Sequence, residues 1–259
     1  MRCGSLVLFG IFIFVFYEQR LVCGNEDLTQ DADYQAAITH FQEEDYDAAI
    51  ESFQRILKRY PDSAKIYNLV GMTYLRQKKS LKSAQGSFEQ AIKLDPTYAE
   101  AYFNLASFYA SEGGNPALAA DYFQKTIDIN PNFSQAYFGL GWFSLTEKHD
   151  TEKAMAYFLK TLELYPDFAE AYYGIGITHI QEGHAYLSLE AISKLRELNR
   201  QDLATLIERT MQGEIEEIKE EETGVLAKED LEAGGAEGSE DYVWVGMRGK
   251  VAPAGESTK

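Results

Sequence analysis

The chain has 259 residues, 45% apolar and 25% charged, which is enough for a sizeable core and unlike a collagen or a wholly disordered chain. Its formal charge of -17, from 41 Asp and Glu against 24 Lys and Arg, gives a surface that repels phosphate backbones and anionic lipid, so nucleic acid is not an expected partner. Cys3 and Cys23, the only cysteines, both lie near the N-terminus, leaving no pair for a disulfide framework or a cysteine metal site in the body of the chain.

The first segment reads as a targeting signal. Arg2 precedes an apolar run over residues 6–17, followed by the polar Glu18-Gln19-Arg20 and then Leu21-Val22-Cys23-Gly24. The run is shorter than the ~20 residues of a membrane span, and Val22 and Gly24 suit the small-residue positions before a cut at Asn25. Residues 1–24 are therefore expected to be a secretory signal peptide. An uncleaved anchor and a lipid on Cys23 are the alternatives, the lipid being opposed by Val22 where a small residue should precede the cysteine. The expected location is exported, periplasmic or secreted, with membrane contact only through this N-terminal segment.

From about residue 30 the chain is periodic. Pro61, Pro96, Pro131 and Pro166 lie 35 residues apart, as do Tyr67, Tyr102, Tyr137 and Tyr172. Phe53, Phe88, Phe123 and Phe158 keep the same step, and so do Ala49, Ala84, Ala119 and Ala154. Asp45, Ser80, Asn115 and Asp150 form a column of good helix N-caps, each four residues before its alanine, with Pro116 at a first helical position.

Each unit predicts two helices. In the third, Tyr102, Leu105, Ala106 and Tyr109 recur at helical spacing until Glu112-Gly113-Gly114 breaks the pattern. Asn115 then starts a second helix with Ala119, Phe123 and Ile127 as its buried stripe, and Pro131 ends it. Small residues at Gly71, Ala106, Gly141 and Gly176 let the two helices of a pair approach closely.

These columns resemble the tetratricopeptide repeat (TPR). The resemblance covers residues 30–198 in five units of period 35, against the family's usual 34. In the fifth unit the alanine and phenylalanine columns, carried forward by 35, hold Leu189 and Ser193. Residues 199–222 are expected to form a capping helix and 223–259 an acidic disordered tail, with 13 acidic and 5 basic residues over 212–259. The implied fold is all-α: a right-handed superhelical α-solenoid of about five helical hairpins with a concave inner groove.

The resemblance further implies that the first helix of each hairpin lines the groove. The residue after each repeat tyrosine and those four and seven further on then point inward. They are Phe103, Ser107 and Ala110; Phe138, Trp142 and Leu145; and Tyr173, Ile177 and Ile180, preceded by Tyr34, Ile38 and Phe41 and by Asn68, Met72 and Leu75. Candidate partner-binding residues are Tyr34, Phe41, Met72, Phe103, Phe138, Trp142, Tyr173 and Ile177, with Trp142 the leading anchor because Trp and Tyr are enriched in binding hot spots. Ordinary packing between repeats is the competing role for each of them. The family's carboxylate-clamping mode needs a groove rich in Lys, Arg and Asn, whereas Lys65, Asn68, Arg76 and Asn104 read as scattered. Leu69, Asn104, Gly139 and Gly174 in one column make no asparagine ladder. The groove should prefer an amphipathic helix or an extended apolar peptide.

Nothing points to catalysis, a cofactor, a metal or a small-molecule substrate. His40 and His179 are expected in buried helical columns and His149 in a turn; no HExxH, GxSxG or glycine-rich phosphate loop occurs. Glu100 and Glu170 are expected to solvate helix starts or complement the dipole there. Asn132-Phe133-Ser134 is a formal glycosylation acceptor in an inter-repeat turn. In the tail, Tyr242-Val243-Trp244-Val245 is an isolated apolar island, either a linear motif or an idle remnant. The expected function is an exported, non-catalytic interaction module, an adaptor or scaffold binding a peptide or helix of a partner. The alternative is a permanent non-catalytic subunit or chaperone of a cell-envelope or secreted enzyme assembly.

Overall fold

The computed structural model describes residues 28–112 and 114–223. The expected leader and the island at 242–245 lie outside the described residues. The chain divides into two compact units, Met1–Leu105 and Ala106–Lys259.

The first unit starts with a 3-10 turn, Leu28–Gln30, and continues through α1 (Ala32–Gln42), α2 (Tyr46–Arg59), α3 (Ala64–Gln77) and α4 (Leu81–Leu94). Helix α5 (Ala99–Ser111) carries the boundary between the units. The second unit adds α6 (Pro116–Ile129), α7 (Ser134–Thr146), α8 (Thr151–Leu164), α9 (Ala169–Gln181), a 3-10 turn at Ala185–Leu187, α10 (Ser188–Glu197) and α11 (Gln201–Thr223). Every regular element among the described residues is helical.

Turn chemistry sets this rhythm. Inside the hairpins the chain reverses through Glu44, Lys78, Gly114, His149 and Gly183, all at positive φ, so His149 has a backbone role in a helix-ending turn. The second helices of the first four hairpins end at Tyr60, Asp95, Asn130 and Tyr165, each followed by proline. Those four residues are extended, with φ from -126° to -141° and ψ from 70° to 94°, as the pyrrolidine ring of the next residue requires. Of the expected N-caps, Asp45, Asn115 and Asp150 accept hydrogen bonds from Ala48, Leu118 and Lys153 N–H. Ser80 makes no such cap; its hydroxyl lies 2.7 Å from that of Ser83.

The phenylalanine column is the wedge that holds the hairpins together. Phe53, Phe88, Phe123 and Phe158 are all buried to within 2%. A Cβ on Gly71 would come within 2.6 Å of the Phe88 ring, and one on Gly141 within 2.7 Å of Phe158. The following helix must yield too: a Cβ on Gly139 would meet Phe123 at 2.6 Å and one on Gly174 would meet Phe158 at 2.6 Å. Phe158 thus fills a slot floored by glycine on both sides, one from α7 and one from α9.

The fifth hairpin corrects the column assignment. Its second helix buries Ser188, Ala191, Ile192 and Leu195, while Leu189 and Ser193 are exposed. The step from Ala154 and Phe158 to Ser188 and Ile192 is 34 residues, because the Gly183 turn and the tight 3-10 turn that follows use one residue fewer. The Ser188 hydroxyl donates to the Gly176 carbonyl at 2.8 Å, and a Cβ on Gly176 would strike Ile207 of α11. The capping helix therefore supplies the bulk that a fifth phenylalanine would have supplied.

Candidate functional site

The first unit carries a polar cluster on its first helices. Asn68 on α3 is 3% exposed, and its side-chain oxygen accepts from the Asn104 amide of α5 at 2.9 Å. Asn68 also hydrogen-bonds Tyr98, the residue just before α5, but burial and the nearby Glu100 carboxylate outweigh that bond and push the Tyr98 phenol up to about 12. On the N-terminal side the Lys65 ammonium stands over the Tyr34 ring, 5.1 Å from its centroid. Asn68 and Asn104 are thus not scattered, as the sequence suggested: a step of 36 residues brings them onto neighbouring first helices in direct contact. Tyr98, missed from sequence, repeats at Phe133 and Phe168, a column of aromatics 35 residues apart that can be read in the sequence, with Phe168 itself buried.

The expected binding residues divide by burial. Tyr34, Phe41 and Met72 in the first unit and Tyr173 in the second are partly exposed. Phe41 meets Tyr46 edge to face at 5.8 Å, and burial raises the Tyr173 phenol above its ordinary value. Phe103, Phe138, Trp142 and Ile177 are 6%, 3%, 8% and 2% exposed, so they pack inside the stack and are not open to a partner in this conformation. Phe138 sits 5.6 Å from Phe158 and 5.3 Å from Phe168, and Trp142 stacks on Tyr173 at 5.9 Å. The Trp142 indole Nε1 is buried with no hydrogen-bond partner, an unsatisfied donor in an otherwise apolar layer. Aromatic neighbours from the turn before α9 and from α9 itself cover the inner stripe here, which spacing along one helix could not reveal.

The remaining polar groups act in the scaffold. Arg59 bonds both Asp31 and Asp33, and Arg55 bonds Asp33, tying α2 to the start of α1. These guanidinium bonds, Arg55 first, hold the Asp33 carboxyl below its ordinary 3.8. Glu170 accepts from Arg200 at 2.7 Å and so joins α9 to the chain entering α11, a partner beyond the helix start expected for it. His40 is partly exposed near Glu43 and not buried, whereas His179 is mostly covered, with Nδ1 3.6 Å from Glu182. Among the described residues no group of His, Cys, Asp or Glu is arranged to hold a metal ion, and no helix is long and apolar enough to cross a membrane.

A tetratricopeptide repeat profile matches residues 34–82, 80–132 and 114–167, together more than half of the chain. The protein belongs to the tetratricopeptide repeat family. Its structure is similar to a crystal structure of MamA, 26% identical with a TM-score of 0.54, covering 64% of this chain and 95% of that one. A second crystal structure of MamA is 25% identical at the same TM-score and covers 68% and 94%. YrrB, a TPR protein with an unusual peptide-binding site, is 21% identical with a TM-score of 0.53, covering 70% and 95%, and at that identity the likeness shows the fold alone. The comparison with curated proteins returns no match.

Proposed function

We propose that this TPR protein is a non-catalytic adaptor that binds a peptide segment of a partner on the first helices of its N-terminal unit. The observation that carries this reading is the chain Asn104, Asn68, Tyr98 beside the Tyr34–Lys65 pair. Stacking of the other hairpins is served by apolar and small residues, as the Phe–Gly slots show, so the bonded carboxamides are a local feature of this unit and not part of the repeat. Buried Asn68 holds the partly exposed Asn104 carboxamide in place, so Asn104 is the member of the pair that meets a peptide main chain, with the Tyr34 ring and the Lys65 ammonium on the same unit. The half-buried Phe41 and Met72 add apolar contact on the same unit.

Selection of a peptide from a displayed library on the full chain, followed by titration, tests this. The double variant Tyr34→Ala, Asn104→Ala should lose about 2 kcal/mol of binding, a loss of ~30-fold, with unchanged circular dichroism. A folded variant that binds as tightly as the native chain would refute it. Export is part of the same proposal and rests on the pattern of residues 1–24: the mature N-terminus should be at or near Asn25, and one that still contains residues 6–17, or a lipid on Cys23, would place the protein at a membrane.

A further inference from the structure

The large apolar residues left exposed among the described residues are confined to the C-terminal half: Leu159, Tyr165, Tyr186, Leu187, Leu189 and Leu206. Leu189 is there because of the 34-residue step of the fifth hairpin, which turns it outward at 59% exposure. It forms one wall of a groove of about 300 Å³ between α10 and α11, lined by Leu189, Ile192, Ser193 and Arg196 from α10 and by Glu208 and Met211 from α11. That volume lies at the bottom of the range for ligand sites and suits one or two side chains better than a whole helix.

We propose that the occupant is the chain's own apolar island, with Trp244 and Tyr242 seated in this groove as a C-terminal strap across the end of the stack. The groove's wall is the helix that leads into the tail. Helix α11 ends at Thr223, 12 residues past Met211, or about 18 Å along its axis. The 18 residues 224–241 can span up to ~60 Å, so they reach back over that distance with slack. On the rim Arg196 is already paired with Glu208, so the floor and wall the groove offers are the apolar Leu189, Ile192 and Met211, which suit the rings of the island. Tethering sets an effective concentration on the order of 1 mM, so even an intrinsic Kd of ~100 µM leaves the docked form in about tenfold excess. An aromatic pair supplies that affinity by burying 150–250 Å² per ring at most, a rough upper figure.

Trp244 reports its own position. Subtracting the emission of the Trp244→Phe variant from that of the full native chain removes the Trp142 signal. The difference spectrum should be blue-shifted, and acrylamide quenching of Trp244 should be weaker by up to about tenfold than in a synthetic peptide spanning 236–250, without change on dilution. Ser193→Arg, at an exposed position in the groove, should raise quenching to the peptide's level with circular dichroism unchanged, and Leu189→Glu should do the same by a different route. Protection lost on dilution would put a second copy in the groove and overturn the proposal. Quenching equal to the peptide's, or protection that survives both folded variants, would overturn it too.

Discussion

The two ends of the described chain solve the same packing problem with different chemistry. The N-terminal hairpin is tied at its rim by Arg55 and Arg59 on Asp31 and Asp33, and its neighbours share the carboxamide contact of Asn68 and Asn104. The C-terminal hairpins instead pack Phe138, Trp142, Phe158, Phe168 and Tyr173 against one another and leave leucines and tyrosines exposed outside. Each unit keeps glycine and phenylalanine slots, at Gly71–Phe88 and at Gly141–Phe158, which therefore belong to the architecture, whereas the polar cluster and the exposed apolar groove are local.

The sharpest break in that comparison is at the shared slot. Phe158→Ala empties a site closed by Gly141 and Gly174 and should cost about 3–5 kcal/mol, read as a fall in the urea midpoint. Filling the slot from the other side is next: Gly141→Leu should destabilise by about 1–3 kcal/mol or more, because the Phe158 ring has no room to retreat. Gly176→Leu should cost less, since its nearest obstacle is the flexible end of the Ile207 side chain. Equal or reversed melting shifts would show that the capping helix is as rigid as the central stack.

Polar contacts distinguish the N-terminal unit by smaller amounts. Asn68→Ala leaves Asn104 and Tyr98 without their shared partner and should cost about 1–3 kcal/mol, and Asn68→Asp should cost at least as much, because it buries a carboxylate in a cluster that already carries Glu100 beside Tyr98. The ion-pair rim should respond to acid. Because the Asp33 carboxyl is held below its ordinary 3.8, its contribution is present above that pH and is lost as the pH falls through the lowered value. Protection of α1 amides, measured against their intrinsic exchange rate, should therefore fall slightly below about pH 4, and Asp33→Asn should lower it slightly already at neutral pH while leaving α8 unaffected. The effect is small because the side chains are solvent-screened.

Much of this was legible in one dimension. A proline, a tyrosine, a phenylalanine and an alanine, each returning every 35 residues, specify a helical hairpin and its repeat. The capping column predicted three of four side-chain caps, with Ser80 turning to Ser83. The fifth unit resisted because a one-residue change in a turn moves every later residue by 100° around its helix, so Leu189 and Ser193 left the positions that counting forward assigned to them. The candidate site resisted for a related reason: columns counted along a helix say which way a side chain points, not what the next hairpin puts in front of it.

Sequence alone carried the resemblance to the family, the all-α hairpin pattern and the small-residue columns, because periodic sterics repeat wherever the pattern repeats; that Gly139 and Gly174 face phenylalanine rings was decided by the packing. Tertiary structure decided which inner residues are reachable. Phe138 and Trp142 vanish beneath Phe168 and Tyr173, while Asn68, Asn104 and Tyr98 meet only because successive first helices lie side by side. Burial is a property of neighbours brought together from distant parts of the chain, and no local spacing encodes it.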